Sequence, residues 1–199
     1  MSDSSITLPQ LRRRFRAREA RRLPTTDRTH YAAVAAVLRL RAEDPEVLLI
    51  RRAEHPHDHW SGHMAFPGGR QDRTDPSTLH TAIRETLEEV DVDLESHAEL
   101  LGRLDDVQAI SKGKRRDMLI VPYVFALTRD VEPHRDPTEV AELLWAPVRP
   151  MMAGEMSTTR PYELEGKRMQ LPGYRIGETR IVWGLTYRML ELLFDVIRR

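Results

Sequence analysis

After Thr29 the apolar residues come in short runs rich in Val, Ile and Leu, at residues 31–40, 47–52, 62–66, 100–107, 118–127 and 143–148, each bounded by turn-forming residues. That is the pattern of strands. One helical segment, 76–90, falls between the third and fourth runs. A second, 181–197, carries Trp183, Tyr187, Leu190, Phe194 and Ile197 along one face. The Gly, Pro and charge mixture at 161–179 reads as a hairpin or a long loop. Strands, a helix, more strands and a final helix predict an α/β fold, a mixed β-sheet covered by helices on both faces. No internal repeat or low-complexity segment interrupts this order.

Ahead of Thr29 the pattern differs. Residues 8–28 hold eight arginines against Glu19 and Asp27, and Leu8, Leu11, Phe15, Ala20 and Leu23 recur near helical spacing. A short amphipathic helix ending before Pro24 is predicted. The division is then a basic N-terminal extension, 1–28, and a single domain, 29–199. The extension reads as a helix laid on the domain, since a charge run is usually a solvated face; a contact to phosphates or RNA and a transit segment are the alternatives.

Composition narrows the chemistry. In 199 residues, 31 Lys+Arg balance 31 Asp+Glu, so the whole molecule has no bias towards polyanions or membranes. There is no cysteine, which excludes disulfides, thiolate metal sites and thiol nucleophiles and leaves oxygen or imidazole to hold any metal. No apolar run approaches the roughly 20 residues of a membrane span, and the amino terminus lacks the apolar region of a secretory signal. A soluble, cytoplasmic protein is expected.

The informative stretch is Phe66-Pro67-Gly68-Gly69 followed by Arg84-Glu85-Thr86-Leu87-Glu88-Glu89. Asp75 is positioned to cap the intervening helix, with Pro76 at its first residue. At about 100° per residue, Leu79, Ala82, Ile83, Thr86, Leu87 and Val90 share one broad face, while Glu85, Glu88 and Glu89 lie within an arc of about 100° on the other side. Three like charges within one turn repel, and a divalent cation with hard oxygen preferences would turn that repulsion into binding. Arg84 can pair with one glutamate and fix its rotamer. Gly68-Gly69 lets the backbone pass close beside the helix and offers a main-chain carbonyl as a further ligand.

These residues resemble the signature of the Nudix hydrolase family: Gly, five residues, Glu, seven residues, then Arg-Glu-apolar-x-Glu-Glu-x-Gly-apolar. The matches are Gly69, Arg84, Glu85, Glu88, Glu89 and Val92, a Nudix box at 69–92. Asp75 stands in place of the first glutamate, in a loop one residue longer. Asp91 stands in place of the last glycine, where a left-handed residue is expected at a cost of roughly 1 kcal/mol. Outside the box, Leu48 to Ala53, Gly62 to Gly69 with Asp72 and Asp75, and Trp183-Gly184-Leu185-Thr186 are similar to the coenzyme A pyrophosphatase branch, although Asp58 stands where that branch has a basic residue.

The resemblance implies a Nudix-type α/β/α sandwich and Mg²⁺ or Mn²⁺ bound by Glu85, Glu88, Glu89 and the Gly69 carbonyl. Arg84 supports the site, and Glu85, Glu139 or Glu142 serves as general base. The implied activity is hydrolysis of a nucleoside diphosphate linked to another moiety, with coenzyme A or a derivative as the best single substrate. ADP-ribose, nucleotide sugars and nucleoside triphosphates are alternatives. A catalytically silent nucleotide- or RNA-binding module is a further one. The expected partner is the small-molecule substrate, with a homodimer as the assembly; a membrane is not expected and nucleic acid is disfavoured.

Remaining polar and aromatic clusters fit around this core. His55, His57, His59 and His63 read as a loop near the substrate, with His63 facing phosphate or sugar, in preference to a metal site interrupted by Pro56. Trp60, Phe66 and Tyr123 can stack on a base or fill the core. Arg52 and the basic turn of Lys112, Lys114, Arg115 and Arg116 are the candidates for gripping substrate phosphates.

Overall fold

The computed structural model describes residues 6–41, 44–55, 60–111, 114–164 and 166–199, with the backbone alone at 111, 114 and 115. Its centre is strand β1 (His30–Arg39), which pairs in parallel with β7 (Lys114–Leu127) and antiparallel with β2 (Glu46–Arg52). β3 (Met64–Ala65) and β8 (Val140–Pro147) extend the sheet from β2, β4 (Gly68–Arg70) adds to β1, and β5 (Ala98–Arg103) and β6 (Val107–Ser111) add to β7. A second sheet of three antiparallel strands follows: β9 (Ser157–Leu164), β10 (Lys167–Ile176) and β11 (Arg180–Trp183).

Both faces of the main sheet are dry, so its central strands are apolar on successive residues rather than on alternate ones. Ala33, Ala35 and Val37 of β1 join Leu48 and Ile50 of β2 against helix α2 (Thr78–Val90) and its buried Ala82 and Val90. Ala32, Ala36, Leu38, Val47 and Leu49 face the other way, onto helix α1 (Leu8–Arg16) and the C-terminal helix α5 (Gly184–Arg198). The expected α/β/α sandwich with a mixed sheet is the observed architecture.

Several boundaries differ from the sequence reading. The run at 100–107 divides into β5 and β6, because the turn between them is tied down: Arg103 pairs with Asp106, whose carboxylate accepts the Leu23 N–H at 2.9 Å. The expected helix at 181–197 starts only at Gly184, its first residues being β11. The run at 143–148 is β8 followed by α4 (Val148–Met152), and a short helix, α3 (Leu94–His97), follows α2.

The amino-terminal arginines hold their helix onto the domain. Arg12 pairs with Glu99, Arg14 donates to the Ile197 carbonyl, and Arg18 reaches both Asp105 and the Arg103 carbonyl. Leu11 and Phe15 are buried on the inner side of α1, and Gly102 makes room for the Phe15 ring: a Cβ there would stand 3.0 Å from it. None of the described helices is long and apolar enough to cross a membrane.

Candidate active site

The site is assembled where β4 passes α2. Gly68 has a φ of 145°, and the space where a side chain would begin is taken by the Ala33 carbonyl. This conformation aims the Gly68 N–H at Glu89 Oε2, 2.8 Å away. At Gly69 a Cβ would lie 2.4 Å from the Glu85 carboxyl carbon. The glycine pair therefore lets a strand edge approach two helix carboxylates as closely as backbone allows.

α2 starts later than expected. Ser77, not Asp75, is its N-cap, accepting the His80 N–H, and Pro76 precedes the helix. Asp75 instead receives Arg84 Nε and Nη2, both at 2.9 Å, together with Thr81 Oγ1 and the Asp72 N–H. The guanidinium pairing holds the Asp75 carboxyl well below the usual carboxylate range. Two parallel bonds to a guanidinium stabilise the carboxylate more than one N-cap bond would. The same guanidinium reaches Glu85 at 2.9 Å and Glu88 at 2.8 Å, so a single arginine orients the loop and two glutamates.

The three glutamates of the helix do not share one environment. Glu89 is 1% exposed, beside Ala82 on the helix wheel, and sits in the core boundary; Glu88 lies on solvent with Arg84. Leu87, assigned by periodicity to the buried face, is 48% exposed because it falls at that face's far edge. What the fold brings together instead is Glu85, Glu89 and Glu139, whose carboxylate oxygens lie within 4.8 Å of one another. Glu139 arrives on the segment between β7 and β8. That segment is tied to the end of α2 by the Asp136 N–H to the Glu89 carbonyl, at 2.9 Å, and the His134 N–H to the Val90 carbonyl, at 3.0 Å. The Glu139 carbonyl accepts the Ala53 N–H at 2.8 Å. Glu142, by contrast, is held outside the group by Arg51 and Arg180, and its carboxyl is pulled down by the Arg180 bond first.

Burial dominates the electrostatics of this trio. It raises Glu89 to about 8, against the Gly68 N–H and the more distant Arg52, 3.8 Å away, with Glu85 and Glu139 adding to the rise. Glu85 is raised too, by burial first and in part offset by Arg84. Carboxylates crowded in this way with so little positive charge among them are suited to a divalent cation, since all the donors are hard oxygens. Arg52, Glu85, Glu89 and Glu139 line a cavity of about 960 Å³ between the main sheet and the three-stranded sheet.

The residues matched, 29–162, fit the model of the NUDIX domain. The chain belongs to the Nudix hydrolase family. It is 30% identical to an uncharacterised Nudix hydrolase of Yersinia enterocolitica, NudL, across 97% of this chain and 94% of that protein. It is also 40% identical over 157 residues to an uncharacterised protein of Schizosaccharomyces pombe; that stretch is 76% of this chain, which spans only 47% of the yeast protein. The fold is shared with a MutT/nudix protein of Enterococcus faecalis (TM-score 0.59, 19% identity, 97% of this chain and 70% of that one). A binary complex of the C. elegans Ap4A hydrolase shares it as well (TM-score 0.52, 20% identity, 63% and 85%).

The Nudix helix ends as the signature predicts. Asp91, at the glycine position, is left-handed at φ 55° and ψ 36°, and its N–H closes on the Leu87 carbonyl. The other predicted site residues divide. Arg52 and His63 line the cavity, His63 against the Trp183 ring at 4.7 Å. Phe66 borders it from the core, 1% exposed. Tyr123 lies on the α2 side and shares a 2.8 Å hydrogen bond with Thr78. Arg116 lines a neighbouring cavity of about 710 Å³. Lys112, His57 and His59 lie outside the described residues, as does the Arg115 side chain.

One wall of the site is the hairpin that residues 161–179 offered as one of two readings, although its place at the cavity was not read from the sequence. Tyr162, Leu164, Met169 and Leu171 of the β9–β10 hairpin face the cavity, and Arg160 stacks on Trp183 at 4.4 Å. The signal was present, since β9 alternates exposed and half-buried along its length, but Pro161 and the Gly-rich flank gave the stretch the composition of a loop.

Proposed function

We propose that this Nudix protein is a divalent-metal-dependent pyrophosphohydrolase that cleaves a nucleoside diphosphate linked to a second moiety. The observation that carries the reading is the crowding of Glu85, Glu89 and Glu139 within 4.8 Å beside the Gly68–Gly69 edge, in a cavity large enough for a nucleotide. Glu85, Glu89 and the Gly69 carbonyl would hold Mg²⁺ or Mn²⁺, which supplies Lewis acidity and neutralises diphosphate charge. Glu88, the remaining glutamate of the box, acts through Arg84 in this reading.

The chain's own groups do the rest. Glu139 is exposed, lines the cavity and has a pinned backbone, which supports assigning to it the proton of an attacking water. Arg84 keeps Glu85 in position, and the Gly68 N–H orients Glu89. His63 and Arg52 border the space for the substrate. Within this class, coenzyme A or a derivative is the proposed substrate, on the sequence similarity at 48–53, 62–69 and 183–186. The fold places the first of these on β2 and the other two at the cavity wall.

The test compares coenzyme A with dephospho-coenzyme A. A site that reads the 3′-phosphate through one charge-assisted contact, worth roughly 1.5–3 kcal/mol, gives a kcat/KM at least about tenfold lower for the dephospho compound. Equal values, with ADP-ribose or a nucleotide sugar turned over faster, would remove coenzyme A and leave the diphosphate hydrolase.

A further inference from the structure

Among the described residues, the arginines and carboxylates that line the large cavity are three of each: Arg52, Arg70 and Arg188 against Glu85, Glu89 and Glu139. Arg52 faces Glu89. Arg70 and Arg188 are different. Both are exposed, and neither side chain has an ion-pair or hydrogen-bond partner among the described residues. Among the described residues nothing uses their charge, yet both stand on a cavity whose walls are otherwise mainly apolar.

Their mountings are firm. Arg70 ends β4, directly after Gly69; its backbone pairs with Ala32 and its carbonyl accepts Arg84 Nη2 at 3.4 Å. Side chains alternate along a strand, so the one after Gly69 is directed away from α2. Arg70 also lines the neighbouring cavity of about 710 Å³, as do Trp60 and Met118, and so stands at the junction of the two spaces. Arg188 comes from the opposite side, on α5, next to the buried Met189 of the core and one turn beyond Gly184.

We propose that Arg70 and Arg188 are the substrate's phosphate clamp, receiving the anionic oxygens of the diphosphate from the β4 side and the α5 side. This rests on the diphosphate reading above and adds to it two residues outside the glutamate group. Glu85 is already met by Arg84 and Glu89 faces Arg52, whereas Arg70 and Arg188 keep their charge for an anionic ligand such as a diphosphate. A guanidinium offers paired donors that fit two phosphate oxygens, which a lysine at either place would not reproduce.

The probe is α,β-methylene-ADP with Mn²⁺, its bridging carbon resisting hydrolysis, titrated calorimetrically into the full chain and its variants. Arg70→Ala and Arg188→Ala are each expected to weaken binding at least about tenfold, and Arg70→Lys and Arg188→Lys by less, since charge is kept. Binding of Mn²⁺ alone and the Tm should stay as in the parent, because neither side chain supports the fold. Unchanged affinity in both alanine variants overturns the proposal, as does a parent protein that fails to bind the probe. Arginine-dependent binding in a protein that hydrolyses no diphosphate would leave the clamp standing and remove the hydrolase reading.

Discussion

Adjacent glycines in the site should fail in opposite ways when each is given a methyl group. At Gly69 the atoms nearest the new Cβ are the end of the Glu85 side chain, at 2.4–2.6 Å, where ordinary contact begins near 3.4 Å. The carboxyl can rotate away, so Gly69→Ala should fold with a Tm close to the parent. It must retreat by about 1 Å, however, and a misplacement of that size costs on the order of a hundredfold in rate, about 2.7 kcal/mol of barrier. At Gly68 the new Cβ meets backbone, 2.3 Å from the Ala33 carbonyl oxygen and 2.6 Å from Val34 Cα, at a φ of 145°. The Val34 methyl, 2.9 Å away, can turn, but neither of these two backbone atoms can. Backbone strain of about 1–3 kcal/mol and overpacking of similar size give a loss of about 2–6 kcal/mol, or about 5–20 °C in Tm for a chain of this length. Thermal melts and initial rates at saturating Mg²⁺ measure both. A Gly69→Ala protein that keeps its rate within a few-fold, or a Gly68→Ala protein as stable as the parent, would refute this geometry.

Three further outcomes follow from the same site. Glu139→Gln should lower kcat by about a hundredfold or more, the scale of a lost general base, while Glu142→Gln, outside the group, should stay within a few-fold; comparable losses in a steady-state assay would displace Glu139 from that role. Glu89 ionises in the unfolded chain near the ordinary carboxylate value but in the fold only at about 8, so between these values the folded state holds the extra proton and stability falls as pH rises. The metal-free Tm should therefore drop between about pH 4.5 and 8, Glu89→Gln should flatten that slope, and a slope unaltered by the substitution would count against the burial argument. Removing residues 1–28 strips Leu11 and Phe15 from the core, worth about 3–6 kcal/mol together; calorimetry showing an unchanged Tm would mean that α1 only rests on the surface.

What the sequence made legible was whatever depends on local spacing. The α2 box, the glycine pair, the left-handed Asp91 and the apolar strands of the main sheet all announce themselves within a few residues. What it concealed depends on partners far along the chain. Asp75 looks like an N-cap until Arg84, nine residues on, occupies it. Glu88 and Glu89 are neighbours in sequence but lie about 100° apart on the helix, so one meets solvent and the other the Gly68 N–H. Glu85, Glu139 and Glu142 were all candidates for the base, and the sequence did not show that Arg180 of β11 pairs with the last of them. A hairpin at 161–179 was one of two readings, but Pro161, Pro172 and the glycines, tolerated outside the main sheet, hid the length of its strands and the pairing of β11 with it.

The most direct test of the metal-dependent hydrolase is identification of products, by mass spectrometry, from a panel of coenzyme A, ADP-ribose, nucleotide sugars and nucleoside triphosphates incubated with Mg²⁺, with Mn²⁺ and with EDTA. At least one diphosphate should be split between its two phosphorus atoms in the presence of either ion. EDTA should abolish the reaction, and Glu89→Gln should slow it by about a hundredfold. No cleavage of any compound with either ion, from a folded protein, would contradict the hydrolase and leave a Nudix domain that binds nucleotides without turning them over.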